Sequence, residues 1–284
     1  MIEYAPAKLN LGLNIQGQRA DGFHDILSVF QTIDLCDQLT FEPANHGRIR
    51  LICNDPRVPT GPENLIYKAV LAFKAHTGIE QGIQITLDKK IPMEAGLGGG
   101  SSDAAAVLRV LNHLWTAELS HNQLCDIGAT LGSDVPFFIQ KSGTAVVTGR
   151  GEKVRYIPWS ANVFYVLVYP SFKVSTGWAY ANFKKALTVS SDYARFLNSV
   201  DFGELSVHEF LSHIENDFLP LVKKTHPETQ SILAQLKEAG ALAVSMSGSG
   251  STLYGVFESR SIAQAISSQL KAKHFRVFLC CPVV

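Results

Sequence analysis

Residues 92–105 read Pro92-Met93-Glu94-Ala95-Gly96-Leu97-Gly98-Gly99-Gly100-Ser101-Ser102-Asp103-Ala104-Ala105. Gly96, Gly98, Gly99 and Gly100 stand close together between a strand pattern at 82–91 and an Ala-rich helical pattern. Glycines in such a cluster do not serve core packing. They let backbone N–H groups approach a ligand that a Cβ would exclude. The helix that follows offers unbonded N–H groups and the positive end of its dipole. Strand, glycine loop and helix together suit an anion, and in particular the phosphates of a nucleotide. The helix is expected to start at Ser101 or Ser102, whose hydroxyls are candidate phosphate donors or magnesium ligands. A Walker A loop is excluded because no Lys follows the glycines, and GxGxxG fails because Ser101 or Asp103 falls at its last glycine. The alternative is a flexible glycine-rich connection, against which the flanking strand and helix signals stand.

The opening strand carries the second feature. In residues 2–16, Ala7, Leu9, Leu11, Leu13 and Ile15 share one face, and Lys8, Asn10, Gly12, Asn14 and Gln16 the other. That alternation predicts a half-buried strand. Lys8 alone reads as part of a solvated face. Asn and Gly are poor strand formers, however, and a ligand lying across this face would account for them. Asp134, in Gly132-Ser133-Asp134-Val135-Pro136, reads on its own as a helix cap or an Asx turn. Met246-Ser247-Gly248-Ser249-Gly250-Ser251-Thr252 is a small-residue hairpin turn that also suits close approach to phosphate.

Around these features the chain alternates short strands and helices. Strands are expected at 26–42, 48–53 and 82–88, helices at 64–76 and 120–130 with Ser120 as cap, and a glycine-punctuated hairpin at 143–157. A buried strand at 163–169 restarts the pattern. Helical segments follow over 175–239, then strands at 242–246 and 252–257, a helix at 261–272 and a strand at 275–281. This second run resembles a split βαβ sandwich. The break at Pro158-Trp159-Ser160 divides the chain into 1–158 and 159–284. The expected class is α+β, a mixed α/β nucleotide-binding domain followed by a ferredoxin-like one, with the site in the cleft between them.

Composition narrows the function. Lys+Arg and Asp+Glu both number 25, so there is no basic excess for a general nucleic-acid binder. With 46% hydrophobic and 18% charged residues, a sizeable core is available. The longest apolar stretches, such as 163–169, are far shorter than the roughly 20 residues of a membrane span. The opening residues lack a basic region followed by an apolar one, so no secretory signal is read and a cytoplasmic enzyme is expected. The five cysteines form no CxxC pair, which speaks against a zinc site or a disulfide framework.

Taken together, the glycine segment, Ala5-Pro6-Ala7-Lys8-Leu9-Asn10-Leu11, Arg19-Ala20-Asp21-Gly22-Phe23-His24, Leu131-Gly132-Ser133-Asp134-Val135-Pro136 and the 247–251 loop resemble the GHMP kinase superfamily. The extra glycines before the serines are similar to its branch that acts on a 4-diphosphocytidyl sugar alcohol in non-mevalonate isoprenoid synthesis. The resemblance spans residues 5 to about 257 and is weakest over 170–240. It implies an ATP-dependent small-molecule kinase with magnesium. Asp134 would take or orient the proton of the acceptor hydroxyl, and Lys8 would sit beside both. Pro92, Met93, Glu94, Ala95, Gly96, Leu97, Gly98, Gly99, Gly100, Ser101 and Ser102 would wrap the phosphates of ATP. Asn64, Leu65 and Lys89 would lie at the adenine. Asn10 and His24 would hold the cytidyl substrate, and Phe23 and Tyr180 would stack on its cytosine. The implied partners are that cytidyl diphosphate and ATP, with neither nucleic acid nor membrane. The magnesium ligands, the oligomeric state and the role of 186–215 are not implied by any motif. A kinase of the same superfamily acting on another alcohol, and a non-catalytic sensor on the same scaffold, are the rival readings.

Overall fold

The computed structural model describes residues 1–45, 47–183 and 192–283. The first part of the chain runs β1 (Ile2–Gln18), β2 (His24–Ala44), β3 (Ile49–Cys53), α1 (Leu65–Thr77), β4 (Gly82–Asp88), α2 (Gly99–Leu114), α3 (His121–Leu131), α4 (Val135–Ile139), β5 (Thr144–Thr148) and β6 (Lys153–Ile157). Its sheet has the order β3-β4-β2-β5-β6, with β1 paired antiparallel to β2; β3 and β4 are parallel. The second part runs β7 (Phe164–Tyr169), α5 (Thr176–Asn182), α6 (Asp192–Ser199), α7 (Val207–Ser212), α8 (Leu219–Thr225), α9 (Glu228–Glu238), β8 (Ala243–Met246), β9 (Leu253–Phe257), α10 (Arg260–Ala272) and β10 (Arg276–Cys280). Its sheet, β10-β7-β9-β8, is antiparallel throughout, which is the split βαβ order expected from the sequence. Residues 184–191 of the expected helical run, and Val284, lie outside the described residues.

Local signals account for most boundaries. Asn64 caps α1 by accepting from the Ile66 N–H, and Gly78 ends it in the left-handed conformation at φ 72°. Ser120 and Gln123 close a capping box on α3. Three expectations are corrected. The lead-in strand stops at Asp88, as the 82–88 expectation has it and short of the 82–91 pattern beside the glycines, because Lys89, Lys90 and Ile91 turn toward Asp37, which accepts from the N–H of Lys90 and of Ile91. Helix α2 starts at Gly99 rather than at Ser101 or Ser102, with Gly98 as its cap at φ 69°. Glycine at that cap carries the φ that a side chain would resist. The polar face of β1 is not a half-exposed one: Lys8, Asn10 and Asn14 are all buried.

The burial of β1 follows from the packing of the two sheets on each other. Leu9, Leu11 and Val29 from the first part share one core cluster with Tyr165, Tyr193, Phe210 and Tyr254 from the second. A β-bulge between Asn10 and Leu13 re-aims the strand, and Gly12 sits there at φ 92°. A Cβ on Gly12 would lie 2.4 Å from the Tyr193 ring, so the residue is glycine for space as well as for φ. Helix α2 is buried on almost every side by Ala104, Ala105, Ala106, Val107, Leu108, Val110 and Leu111. Alanines allow that close approach at no cost in helix propensity. The helix start is therefore held by packing. No helix among the described residues is long and apolar enough to cross a membrane.

Candidate active site

One cavity of about 1060 Å³ opens between the two sheets. Of the residues given a catalytic, ATP-binding or substrate-binding role from the sequence, all but Ser102 line it. Ser102 is fully buried beneath the loop, and its Oγ finds no partner among the described residues. The early helix start explains this, since it turns Ser102 inward and leaves Ser101 at the cavity wall.

Lys8 and Asp134 converge. Lys8 Nζ lies 3.6 Å from Asp134 Oδ2 and 4.2 Å from the centroid of the Phe30 ring. Asp134 occupies the cap position of α4, yet its side chain makes no capping bond, so the cap reading does not account for it. The Lys8 side chain is 4% exposed and that of Asp134 30%. Burial pulls the Lys8 ammonium below its ordinary range, and the Asp134 carboxylate opposes that shift. Asn10 works within the protein. Its Oδ1 accepts from Lys8 Nζ in a short bond, its Nδ2 donates to Ser28 Oγ at 3.0 Å, and its N–H donates to Ser247 Oγ at 3.1 Å. Its carboxamide thus orients Lys8, and Asn10 also lines the cavity.

The glycine loop is built onto the same strand. Lys8 N–H donates to Leu97 O at 3.0 Å. A Cβ on Gly98 would stand 2.9 Å from the Phe138 ring and 3.1 Å from Lys8 Cγ. A Cβ on Gly96, at φ 74°, would stand 2.2 Å from Ser247 O. The two small-residue loops therefore meet backbone to backbone, as only glycine permits. The N–H groups of Gly96, Gly98, Gly99, Gly100 and Ser101 have no acceptor among the described residues. Those of Gly99, Gly100 and Ser101 are unbonded donors of the helix start, and all five residues line the cavity, which suits a polyanion.

The adenine-side expectations fare unevenly. Asn64 uses its carboxamide oxygen to cap α1 and one amide hydrogen on Pro59 O at 2.6 Å, while its backbone N–H donates to Gly61 O and its backbone carbonyl accepts from Lys68 N–H. Lys89 lines the cavity but is committed to two buried carboxylates, Asp37 at 2.5 Å and Asp103 at 2.7 Å. Burial pulls its ammonium down, and the two carboxylates more than offset this, leaving its pKa raised. Asp103 Oδ1 is buried without a partner. Burial pushes the Asp103 carboxyl up to about 7, against the pull of Lys89 and with the help of Asp37. A raised carboxyl holds a proton in the folded chain that the unfolded chain has released, so stability falls as pH rises from the ordinary carboxylate range to about 7. Asp103→Asn is therefore expected to melt higher relative to the unsubstituted chain at about pH 8.5 than at about pH 5.5, by a few degrees. Thermal melts at both pH values check it, and equal margins would contradict it.

On the acceptor side, the Phe23 ring is 53% exposed at the cavity mouth, with the Arg150 guanidinium 5.0 Å from its centroid. Tyr180 reaches the cavity from α5, but one face of its ring lies against His24, centroids 4.9 Å apart. Sequence reasoning passed over Arg150, Ser133, Thr176, Asp103 and Phe218, which also line the space. Arg150 had one signal, a lone cation in the turn Gly149-Arg150-Gly151 of an expected hairpin.

A buried ammonium and a carboxylate beside an array of unbonded N–H groups define a phosphotransferase site. The GHMP kinases N terminal domain matches residues 64–142, and the GHMP kinases C terminal domain matches 197–276. The chain belongs to the GHMP kinase family. Like other kinases of that family, it uses ATP as a substrate. Among its relatives is the 4-diphosphocytidyl-2-C-methyl-D-erythritol kinase of Bacillus pumilus, 38% identical over 95% of this chain and 93% of that one. Another is the protein of the same name from Chlorobium chlorochromatii, 40% identical over 94% and 92%. A crystal structure of 4-(cytidine 5'-diphospho)-2C-methyl-D-erythritol kinase superposes with a TM-score of 0.81 at 32% identity, covering 99% of this chain and 98% of that one. The mevalonate kinase of Methanococcus jannaschii shares the fold, with a TM-score of 0.75 at 17% identity.

Proposed function

We propose that this chain transfers the γ-phosphoryl group of ATP to the 2-hydroxyl of 4-diphosphocytidyl-2-C-methyl-D-erythritol, a step in non-mevalonate isoprenoid precursor synthesis. The observation that carries this reading is the Lys8–Asp134 pair at 3.6 Å on the wall of the cavity that the glycine loop also lines. Phosphoryl transfer asks a protein for positioning and charge stabilisation and for little covalent work. The acceptor oxygen attacks the γ-phosphorus, the bond to the β-bridging oxygen breaks, and ADP leaves. Asp134 receives the hydroxyl proton as the new P–O bond forms. Lys8 stabilises the negative charge that builds on the acceptor oxygen, in a buried setting where that attraction is strong. Segment 92–101 holds the triphosphate, with Asn64 and Leu65, which line the same cavity, at the adenine. The acceptor's cytosine stacks between Phe23 and Tyr180 beside His24, and Arg150 faces its diphosphate. The division of the chain into 1–158 and 159–284 belongs to the same reading, as does a cytosolic enzyme.

Magnesium fits the residues present only in part. No group of three or more His, Cys, Asp or Glu side chains placed for a metal occurs among the described residues. The Ser101 hydroxyl lines the cavity and has no protein partner among the described residues. Magnesium keeps several waters and commonly takes few protein ligands beside substrate phosphates. Ser101 would hold it together with the triphosphate, and when bound it would neutralise charge on the phosphate oxygens.

The test is direct. Purified protein with ATP, magnesium and the cytidyl substrate is expected to release ADP and the 2-phosphate; absence of ADP under these conditions rejects the proposal. Phe23→Ala is expected to raise KM for the cytidyl substrate roughly 10- to 100-fold, the value of one base stack, with KM for ATP little changed. An unchanged acceptor KM points instead to a different alcohol.

A further inference from the structure

The loop between β8 and β9 packs against the glycine loop and adds to the same cavity wall. Gly248 and Ser249 line the cavity, and their N–H groups have no acceptor among the described residues. Their direction depends on a backbone with Gly248 at φ 59° and Gly250 at φ 104°, which the loop's own flexible residues do not select. Contacts with the glycine segment hold part of it: Ser247 Oγ donates to Gly96 O at 2.8 Å, and Thr252 N–H donates to Ala95 O at 3.3 Å.

Asn10 N–H donates to Ser247 Oγ, Thr176 Oγ1 and Ser249 Oγ lie 3.0 Å apart, and a further hold on the backbone comes from Asn216, between α7 and α8. Its Nδ2 donates to Met246 O at 2.7 Å and to Gly248 O at 2.9 Å, and its Oδ1 accepts from Phe218 N–H at 2.9 Å. The side chain is buried, and each of its donor and acceptor groups is engaged. The backbone on either side of it is pinned to β1. Leu13 N–H donates to Glu215 O at 2.7 Å, Asp217 N–H donates to Leu13 O at 2.9 Å, and Asp217 Oδ2 accepts from Ile15 N–H at 2.7 Å. β1 is the strand that carries Lys8. One carboxamide thus joins the segment pinned to the strand bearing the ammonium to the backbone of the 247–250 loop.

We propose that Asn216 is a positioning residue of the phosphoryl-transfer site. Its carboxamide fixes the carbonyls of Met246 and Gly248 so that the N–H groups of Gly248 and Ser249 are presented to the triphosphate. This rests on the kinase reading given above. Only a carboxamide serves here. A carboxylate of the same shape has no proton for either carbonyl and sets a negative charge against both.

Asn216→Asp makes the proposal testable. At about pH 8 its kcat/KM for ATP is expected to fall roughly 30- to 100-fold, with KM for the cytidyl substrate within about threefold of the unsubstituted chain. The introduced carboxyl is buried against two carbonyls, so its pKa is raised and it regains a proton as pH falls. A protonated carboxyl can donate to one carbonyl. The deficit relative to the unsubstituted chain is therefore expected to narrow about fivefold or more toward about pH 6. Asn216→Ala carries no charge and keeps the question open to experiment if the first variant does not fold: it is expected to show the ATP-specific loss with no recovery at low pH. Calorimetry with a non-hydrolysable ATP analogue reads the same effect without turnover. Analogue affinity unchanged in the variants, or KM values for both substrates rising together, overturns the role of Asn216. An unsubstituted chain that binds the analogue but does not phosphorylate the cytidyl substrate instead sinks the acceptor assignment, and the Asn216 proposal is then decided by analogue affinity alone.

Discussion

Asp134→Asn is expected to lower kcat by roughly 100- to 10,000-fold while KM for both substrates stays within about threefold. Asparagine keeps the size and polarity of the side chain and removes its capacity to accept the acceptor's proton. The substituted side chain makes no capping bond to α4, so no helix cap is lost with the carboxylate. A carboxylate that matters only structurally would give the opposite pattern, a lowered melting temperature with turnover largely kept. Equal losses in kcat and kcat/KM mark an interaction made only in the transition state, which is where proton transfer belongs. Steady-state kinetics beside thermal melts separate the two. Turnover within about tenfold of the unsubstituted chain would remove Asp134 from the proton-transfer role.

The site's chemistry was legible in the sequence where residue type and local spacing carry it. Glycines between a strand and an Ala-rich helix have few uses, and the N–H array at Gly96–Ser101 is the expected one. Lys8 was legible only as an oddity, an ammonium on a strand face with Asn10 and Gly12 beside it. What made the face odd is a contact no local pattern encodes. The second sheet packs on β1, so residues with strand alternation on both faces end up buried on both. The helix start was misjudged because serine is the better cap by propensity, whereas here φ 69° and the Phe138 ring 2.9 Å from any Cβ require glycine at 98.

Long-range polar networks left the least trace. Asp37, Lys89 and Asp103 come from the second strand, the end of the fourth and the helix after it, and nothing in the neighbourhood of each announces the other two. Lys89 read by type is a cation near a nucleotide. Read by geometry, its charge is already matched by Asp37 and Asp103 at the lead-in to the glycine loop. Asn10 likewise has its carboxamide engaged within the protein, by Lys8 and Ser28. Asn216 lies in a stretch without a recognisable pattern, and only the fold brings it to the loop at 247–250. Residue types at short spacing thus identify who does the chemistry, and topology identifies who holds them in place.

Lys8→Met separates these two duties most sharply, because it is expected to abolish most activity in a protein at least as stable. Loss of the ammonium removes the charge that offsets the developing oxyanion, and kcat is expected to fall roughly 100- to 1,000-fold. Stability moves the other way for a specific reason. Burial sets the Lys8 pKa below its ordinary value, so at neutral pH the folded chain bears the cost of a desolvated ammonium that the unfolded chain does not. Between the lowered pKa and the ordinary one, the unfolded state binds the extra proton, so stability rises with pH through that window. Methionine fills much of the same volume beside the Phe30 ring and carries no charge, and Asp134, 30% exposed, keeps its access to water. Replacing a buried ion pair by apolar side chains is commonly neutral or stabilising by about 1–4 kcal/mol, and removing one partner is costly where the other stays buried, which the 30% exposed Asp134 does not. The variant is therefore expected to melt at or above the temperature of the unsubstituted chain at neutral pH, with the margin shrinking as pH climbs through the lysine window. The alkaline limb of kcat/KM in the unsubstituted enzyme is expected below the ordinary lysine range for the same reason. A variant that melts well below the unsubstituted chain at neutral pH would make Lys8 a structural cation, and one that keeps its turnover would make it a bystander.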